Sequence, residues 1–136
     1  MRRMAVALAA GAAALVATAT PALATSYSLY ADTSFGYARL DYTYVRDTGH
    51  PTGGVWYHAY TENTNVFDDG GDGLGSVVKV TYDTPNATGN WVGIGWTTDG
   101  EYSYEPEFNE FGVKNVHFYL CKANGITLSG CVRMTT

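Results

Sequence analysis

The chain has few positive charges. Its 136 residues include eight Lys and Arg against 13 Asp and Glu, so the formal net charge is −5. Two of the eight, Arg2 and Arg3, lie at the N-terminus, and the other six are scattered along the sequence. An acidic surface with dispersed cations repels both the phosphate backbone of nucleic acids and anionic lipids. The composition therefore predicts that the protein binds neither nucleic acid nor membranes.

Long apolar runs are also missing. The longest, at residues 5–17, has about 13 residues, mostly Ala, Leu and Val, whereas a membrane-spanning helix needs about 20. The run follows two arginines and precedes Ala22-Leu23-Ala24, the small-x-small pattern typical of signal peptidase sites. We expect a signal peptide over residues 1–24 and a secreted, extracellular domain over residues 25–136.

Helical patterns are absent too, because no segment carries an apolar stripe of helical period over three turns. Short alternating runs recur instead between clusters of Gly, Asn, Asp and Pro. This pattern is typical of a two-sheet sandwich or a small barrel, and we expect a single small, all-β, antiparallel β-sandwich. The eight expected strands are Tyr27–Tyr30, Tyr37–Val45, Val55–Thr61, Ser76–Tyr82, Trp91–Trp96, Glu101–Tyr104, Val113–Lys122 and Ile126–Met134.

Cysteine is scarce, and the two that occur are Cys121 and Cys131. An even number of cysteines in an exported chain predicts a disulfide, here near the C-terminus. A tight hairpin turn at Asn124-Gly125 would place Cys121 opposite Leu128, three residues short of Cys131. The tight hairpin and the bridge therefore conflict unless the returning strand bulges, and we rely on the bridge more than on this type of turn.

Catalytic and cofactor motifs are missing as well. The histidines at positions 50, 58 and 117 are scattered, and no nucleophile elbow, metal cluster or phosphate loop occurs. The segment Val55–Thr61, which contains His58, is similar to the active-site histidine strand of small secreted microbial ribonucleases. The arginine-rich stretch that binds phosphate in those enzymes has no counterpart here. We expect no catalytic residue, no cofactor and no enzymatic activity, and a ribonuclease is the least favoured alternative.

Three carboxylates, Asp68, Asp69 and Asp72, lie among glycines in one short run. Several carboxylates on a flexible loop can bind Ca²⁺. The spacing differs from that of an EF-hand, because Lys79 occupies the position of the bidentate acid. We expect a solvated loop and no metal, and keep these three aspartates as a weak candidate site.

Aromatic residues are abundant, with 11 Tyr, five Phe and three Trp. Tyr102, Tyr104 and Glu105 belong to a run in which acids are interleaved with aromatics. Such side chains can stack on sugar rings or contact a basic protein, and the alternative is a plain exposed edge strand. Gly93 and Gly95 leave one face of a neighbouring predicted strand bare, which indicates either a close partner or a bend.

The predicted mature chain opens with an uncharged, alternating segment, Thr25–Ala31. This segment can be the first strand of its own sandwich, or it can add to an open sheet edge of another protein. The second alternative makes this segment and the aromatic-acidic run candidate partner-binding residues: Ser26, Tyr27, Ser28, Leu29, Tyr30, Ala31, Tyr102, Tyr104 and Glu105.

The layout as a whole resembles the small secreted β-sandwich proteins of filamentous high-GC Gram-positive bacteria. The shared features are the Ala-x-Ala signal end, a tyrosine-rich middle, and a terminal strand Val116–Cys121 closed by Cys131. Within that group the chain is similar to the adaptor subunit of umbrella toxin particles, secreted assemblies used against competing bacteria. The resemblance implies a non-enzymatic connector between a large repeat-containing toxin chain and a lectin-like or protease-like protein, and it carries over no site residue.

We therefore expect a secreted protein-binding module whose partners are other secreted proteins. A secreted carbohydrate-binding, lectin-like domain is the alternative from a different functional class. Retention on glycans or on insoluble polysaccharide would distinguish the two.

Overall fold

The computed structural model describes residues 23–98, 100–104 and 107–136. Residues 1–22 of the expected signal peptide, which covers residues 1–24, therefore lie outside the described residues. Among the described residues, no helix is long and apolar enough to cross a membrane.

The described chain is built from antiparallel strands joined by turns and loops, as the alternating pattern predicts. The strands are β1 (Ala24–Thr33), β2 (Gly36–Asp47), β3 (Trp56–Asp68), β4 (Gly75–Thr84), β5 (Ala87–Ile94), β6 (Tyr102–Tyr104), β7 (Asn109–Asn124) and β8 (Thr127–Arg133). The all-β class and each of the eight expected strands are confirmed.

The strands form two layers that share β7. Neighbouring strands follow the order β1-β2-β3-β7-β4-β5, with β6 against β3 and β8 against β7. The start of β7 pairs with β3 up to Val113, and the rest of β7 pairs with β4 from Lys114 onward. Asn115, near this change of partner, has a φ of 53°, a left-handed conformation that Asn tolerates better than most residues. One long strand can therefore serve both layers.

The hydrophobic core lies between the two layers. Leu40 and Val66 contribute from the first layer, and Val78, Val80 and Leu120 contribute from the second; all five are fully buried. Burial of each such side chain stabilises the fold by about 1.5–3 kcal/mol. The alternation along β2, β4 and β7 thus faces these residues inward, and β7 supplies core contacts as the sequence predicts.

The third strand runs seven residues beyond its expected end at Thr61. Its extension begins with four polar residues, Glu62–Asn65, a composition typical of a loop. Asn63 has a φ of 52°, and its side chain donates a 2.8 Å hydrogen bond to Asp41 on β2, beside a bulge in the pairing. The bulge and this hydrogen bond keep the polar stretch in the sheet.

The disulfide between Cys121 and Cys131 is confirmed, with a Cα–Cα distance of 4.0 Å across β7 and β8. The hairpin closes on Asn124 opposite Thr127, so its two turn residues are Gly125 and Ile126. A turn at Asn124-Gly125 would place Cys121 three residues short of Cys131, and the shift of the turn removes two of these three residues. A bulge between Leu120 and Lys122 in the β7–β8 register removes the third, as expected.

Candidate functional site

The predicted partner-binding segment lies in the chain's own sheet. Every residue of β1, from Ala24 to Thr33, is paired with a residue of β2. Ala31 is buried in the core and Leu29 packs against it. In the structure the segment is therefore the first strand of its own sandwich, and it is not free to add to the sheet of another protein.

The outer edge of β1 is only partly covered. Tyr30 exchanges two backbone hydrogen bonds with Thr135, of 2.9 and 3.0 Å. Because backbone groups alternate in direction along a strand, the N–H and C=O of Ser26 and Ser28 face the same edge as those of Tyr30. No other strand within the described ranges is paired with this edge from Ala24 to Leu29. The sheet thus has an open edge beside a short stretch of chain that already pairs there.

A cleft of about 480 Å³ lies on the inner side of this edge. Its walls are mostly apolar and come from β1, β2, β7 and the segment after β8: Tyr27, Leu29, Tyr42, Val116, Phe118 and Met134. A second cleft, of about 370 Å³, has Ser28, Tyr30, Tyr37 and Arg39 among its lining residues. Tyr27 therefore borders the inner cleft, Ser28 and Tyr30 border the second, and Leu29 borders both.

A row of tyrosines continues the inner cleft along the first layer. The ring of Tyr27 stacks on that of Tyr44 at 6.3 Å, and Tyr44 meets Tyr57 edge to face at 5.2 Å. Burial raises the pKa of Tyr42, and the hydrogen bond with Tyr44 raises the pKa of Tyr27. These two phenols are therefore uncharged at neutral pH.

Two polar residues border the inner cleft at its other side. Arg133 Nη2 lies 2.9 Å from His117 Nδ1, and because arginine can only donate, the histidine nitrogen accepts this hydrogen bond. Burial, followed by the charge of Arg133, lowers the pKa of His117, whereas Asp83 acts in the opposite direction. The pair therefore consists of a neutral imidazole and a guanidinium.

The three aspartates of the glycine-rich loop have separate roles. Asp68 is buried and accepts hydrogen bonds from Ser76 Oγ at 2.8 Å and from the backbone N–H groups of Gly70 and Gly100. Asp72 pairs with Lys122 at 2.9 Å, and Asp69 is exposed. No group of three metal-ligating side chains occurs in the described part of the chain. Asp68 is thus a structural acid that ties the loop to β4.

The aromatic-acidic run is separated from the β1 edge in the sheet. Tyr102 and Tyr104 lie in β6, which pairs with residues 65–67 of β3, whereas Glu105 lies outside the described residues. The structure therefore does not bring Tyr102 and Tyr104 together with Ser26–Ala31 in the sheet.

The three histidines make separate contacts in the structure. His58 Nε2 donates a 2.7 Å hydrogen bond to Asn109 Oδ1, and its ring stacks on Phe111 at 3.8 Å. His50 bonds Thr52, and His117 bonds Arg133. The three partners are a hydroxyl, an amide and a guanidinium group.

Sequence reasoning missed the residues that complete the inner cleft. The sequence indicates that Tyr42, Val116 and Met134 lie in strands. It does not indicate that they line a cleft with Tyr27. Their alternation indicates an inward face, but it does not show where two layers separate. A search against models of protein families, curated proteins and solved structures found no match to this chain.

Proposed function

We propose that this protein is a secreted, non-enzymatic binding module that accepts an extended segment of a partner protein along the outer edge of β1. The observation that carries the proposal is the open edge from Thr25 to Leu29, with two clefts beside its side chains. An added strand gains affinity from main-chain hydrogen bonds and specificity from pockets that take alternate side chains. Ser26 and Ser28 present the main-chain groups for such pairing.

The position of Thr135 supports this mode of binding. Thr135 of the same chain already pairs with Tyr30 at this edge in antiparallel register, which supports pairing of a further extended segment there. A guest strand beside Ser28 and Ser26 would continue the line of that segment. Its inward side chains would enter the cleft between Tyr27 and Val116, which favours apolar or aromatic residues.

The proposal modifies the role expected for the N-terminal segment. β1 stays in its own sheet and receives a strand, instead of being donated to a partner. Secretion belongs to the proposal as well, and the disulfide agrees with it because such bridges persist in oxidising surroundings. The resemblance to toxin adaptor subunits makes a secreted protein with repeated domains the first partner to test.

Ser28→Pro tests the proposal, because it removes an outward N–H without removing a β1–β2 hydrogen bond. The matched control Ser28→Ala keeps the N–H and loses the hydroxyl group that donates to Asp41. We expect wild type and Ser28→Ala to retain a partner from culture supernatant, and Ser28→Pro to lose it. In the complex, the amides of Ser26 and Ser28 should exchange hydrogen more slowly.

A partner retained equally by a folded Ser28→Pro variant would contradict the proposal. Unchanged exchange at Ser26 and Ser28 in the complex would do the same. The melting temperatures of both variants show whether a loss of capture comes instead from unfolding.

A further inference from the structure

The outer face of the second layer carries two exposed indoles. Trp91 lies on β5 and is 48% exposed, and Trp96 follows that strand and is 43% exposed. Gly93 lies between the two tryptophans in sequence. The register pairs it with Lys79 of β4, which is in turn paired with Tyr119 of β7, so all three residues lie on the same side of the sheet. We call this surface, made by Trp91, Trp96, Lys79 and Tyr119, the tryptophan face.

Gly93 explains how Trp96 comes to lie on this face. A Cβ added at Gly93 would meet three atoms of the Trp96 ring at 2.5–2.9 Å, and Trp96 Nε1 donates to Gly93 O at 3.1 Å. The indole therefore packs against bare backbone. The close neighbour over this glycine is the chain's own tryptophan, and the strand ends where Gly95 adopts a φ of 68°.

Trp91 lies on the same face of β5 as Gly93, the glycine against which the Trp96 ring packs. It is two residues from Gly93, so the two indoles are supported at positions about 6.7 Å apart on one face. The ammonium group of Lys79 lies 5.4 Å from the centre of the Trp91 ring. The face thus combines neighbouring exposed ring surfaces with a cation held against one of them.

The charge of this face is opposite to that of the protein. Tyr119 is paired with Lys79 on one side and with Arg133 on the other, so both cations share the face. Among the described residues, Asp83 is an acid on the strand next to β5, and its carboxylate accepts hydrogen bonds from Asn115 at 2.7 Å and Gly89 at 2.8 Å. A protein of net charge −5 therefore presents Lys79 against Trp91, and Arg133 three strands away on the same face.

We propose that the tryptophan face binds an acidic polysaccharide. The C–H groups on one side of a sugar ring carry partial positive charge and pack against the negative face of an indole. A carboxylate on the same or the next sugar would pair with Lys79 or Arg133, which a neutral glycan cannot do. Four neighbouring strands span about 14 Å, so the site accommodates an oligosaccharide. Trp91, Trp96 and Lys79 lie away from the strand-binding edge of β1, whereas Arg133 also lines the inner cleft.

The probe is polygalacturonate, and its methyl-esterified form is the matched neutral polymer with the same backbone. We expect wild type to bind the acid form at least roughly tenfold more tightly than the ester. Trp91→Ala and Trp96→Ala should each weaken binding of the acid form by roughly tenfold, and Lys79→Gln should reduce the preference for acid over ester. Phe111→Ala, which removes a 69% exposed aromatic from the other layer, should bind as wild type does.

Polyglutamate separates sugar recognition from simple attraction between charges. Binding of polyglutamate as tight as that of polygalacturonate would overturn the proposal, and so would full binding by the Trp91→Ala variant. Equal affinity for acid and ester would also overturn it. Ser28→Pro should leave polysaccharide binding unchanged, so failure at this face is distinguishable from failure of strand binding at β1.

Discussion

Asp68 illustrates how a single residue gains a role that the sequence does not show. In the sequence it belongs to an acidic, glycine-rich run with the composition of a Ca²⁺ loop. In the structure its two oxygens accept hydrogen bonds from Ser76, Gly70 and Gly100. Composition identified the run as acidic, but the partners come from positions up to 32 residues away, beyond the reach of local patterns.

His117 predicts a pH dependence of stability. Its pKa in the folded protein is below the ordinary value of 6.5, so the unfolded chain takes up this proton first as pH falls. The stabilisation is complete above about pH 6.5 and is lost as pH decreases towards the folded pKa. We expect the free energy of unfolding, measured with urea between about pH 7.5 and about pH 5, to decrease in wild type.

His117→Gln is the matched variant, because its amide oxygen can still accept from Arg133. The decrease over this range should be smaller in the variant. The carboxyl groups of Asp41, Asp72 and Asp83 have lowered pKa values and titrate below this range. They therefore do not contribute to the difference between wild type and variant. An identical decrease in both proteins would contradict the assignment to His117.

At the scale of elements, alternation predicted the existence of every strand and failed at some of their ends. β3 is the clearest example, since its polar last part is held by the bulge and by Asn63. The β7–β8 hairpin is another, because its turn lies one residue further along than the Asn-Gly pair indicates. In both elements the backbone conformation depends on cross-strand partners, which a local pattern does not contain.

The disulfide should contribute measurably to the stability of the β7–β8 hairpin and of the whole domain. Replacing Cys121 and Cys131 together with Ala should lower the free energy of unfolding by about 2–3 kcal/mol, because a short closed loop no longer restricts the unfolded chain. Urea unfolding provides the measurement, and wild type in reducing agent should behave similarly. Ile126→Ser, at an 87% exposed turn position, serves as the control and should change stability by less than about 0.5 kcal/mol. A double variant as stable as wild type would refute the expectation.

At the scale of the whole molecule, β1 joins the N-terminal part of the sheet to the end of the chain. It pairs with β2 along its full length and with Thr135 at Tyr30, and Ala31 and Leu29 reach the core. The domain therefore depends on contacts between segments that are distant in sequence. Its functional proposals also belong to this scale, since each concerns one edge or one face of the assembled sandwich.

Deletion of residues 25–31 tests the place of β1 in the molecule. We expect the shortened chain to lose cooperative thermal unfolding, because β2 would lose its outer neighbour and the core would be exposed beside Leu40. The chain 25–136, measured by circular dichroism under the same conditions, is the reference. If deletion left the melting temperature unchanged, β1 would not belong to the domain, and donation of this segment to a partner would again be the better explanation.

The sequence alone determined the all-β class, the acidic character, the number of strands and the cysteine pair. These properties depend on composition and on a two-residue alternation, which is local and repeats along each strand. Tertiary structure decided which edge stays open, where Tyr27 meets Val116, and that Trp96 lies on Gly93 beside Trp91. Those features depend on strand order and register, and register is a relation between segments far apart in the chain. The opening segment of the predicted mature protein could thus be identified from the sequence, but its place as a receiving edge could not.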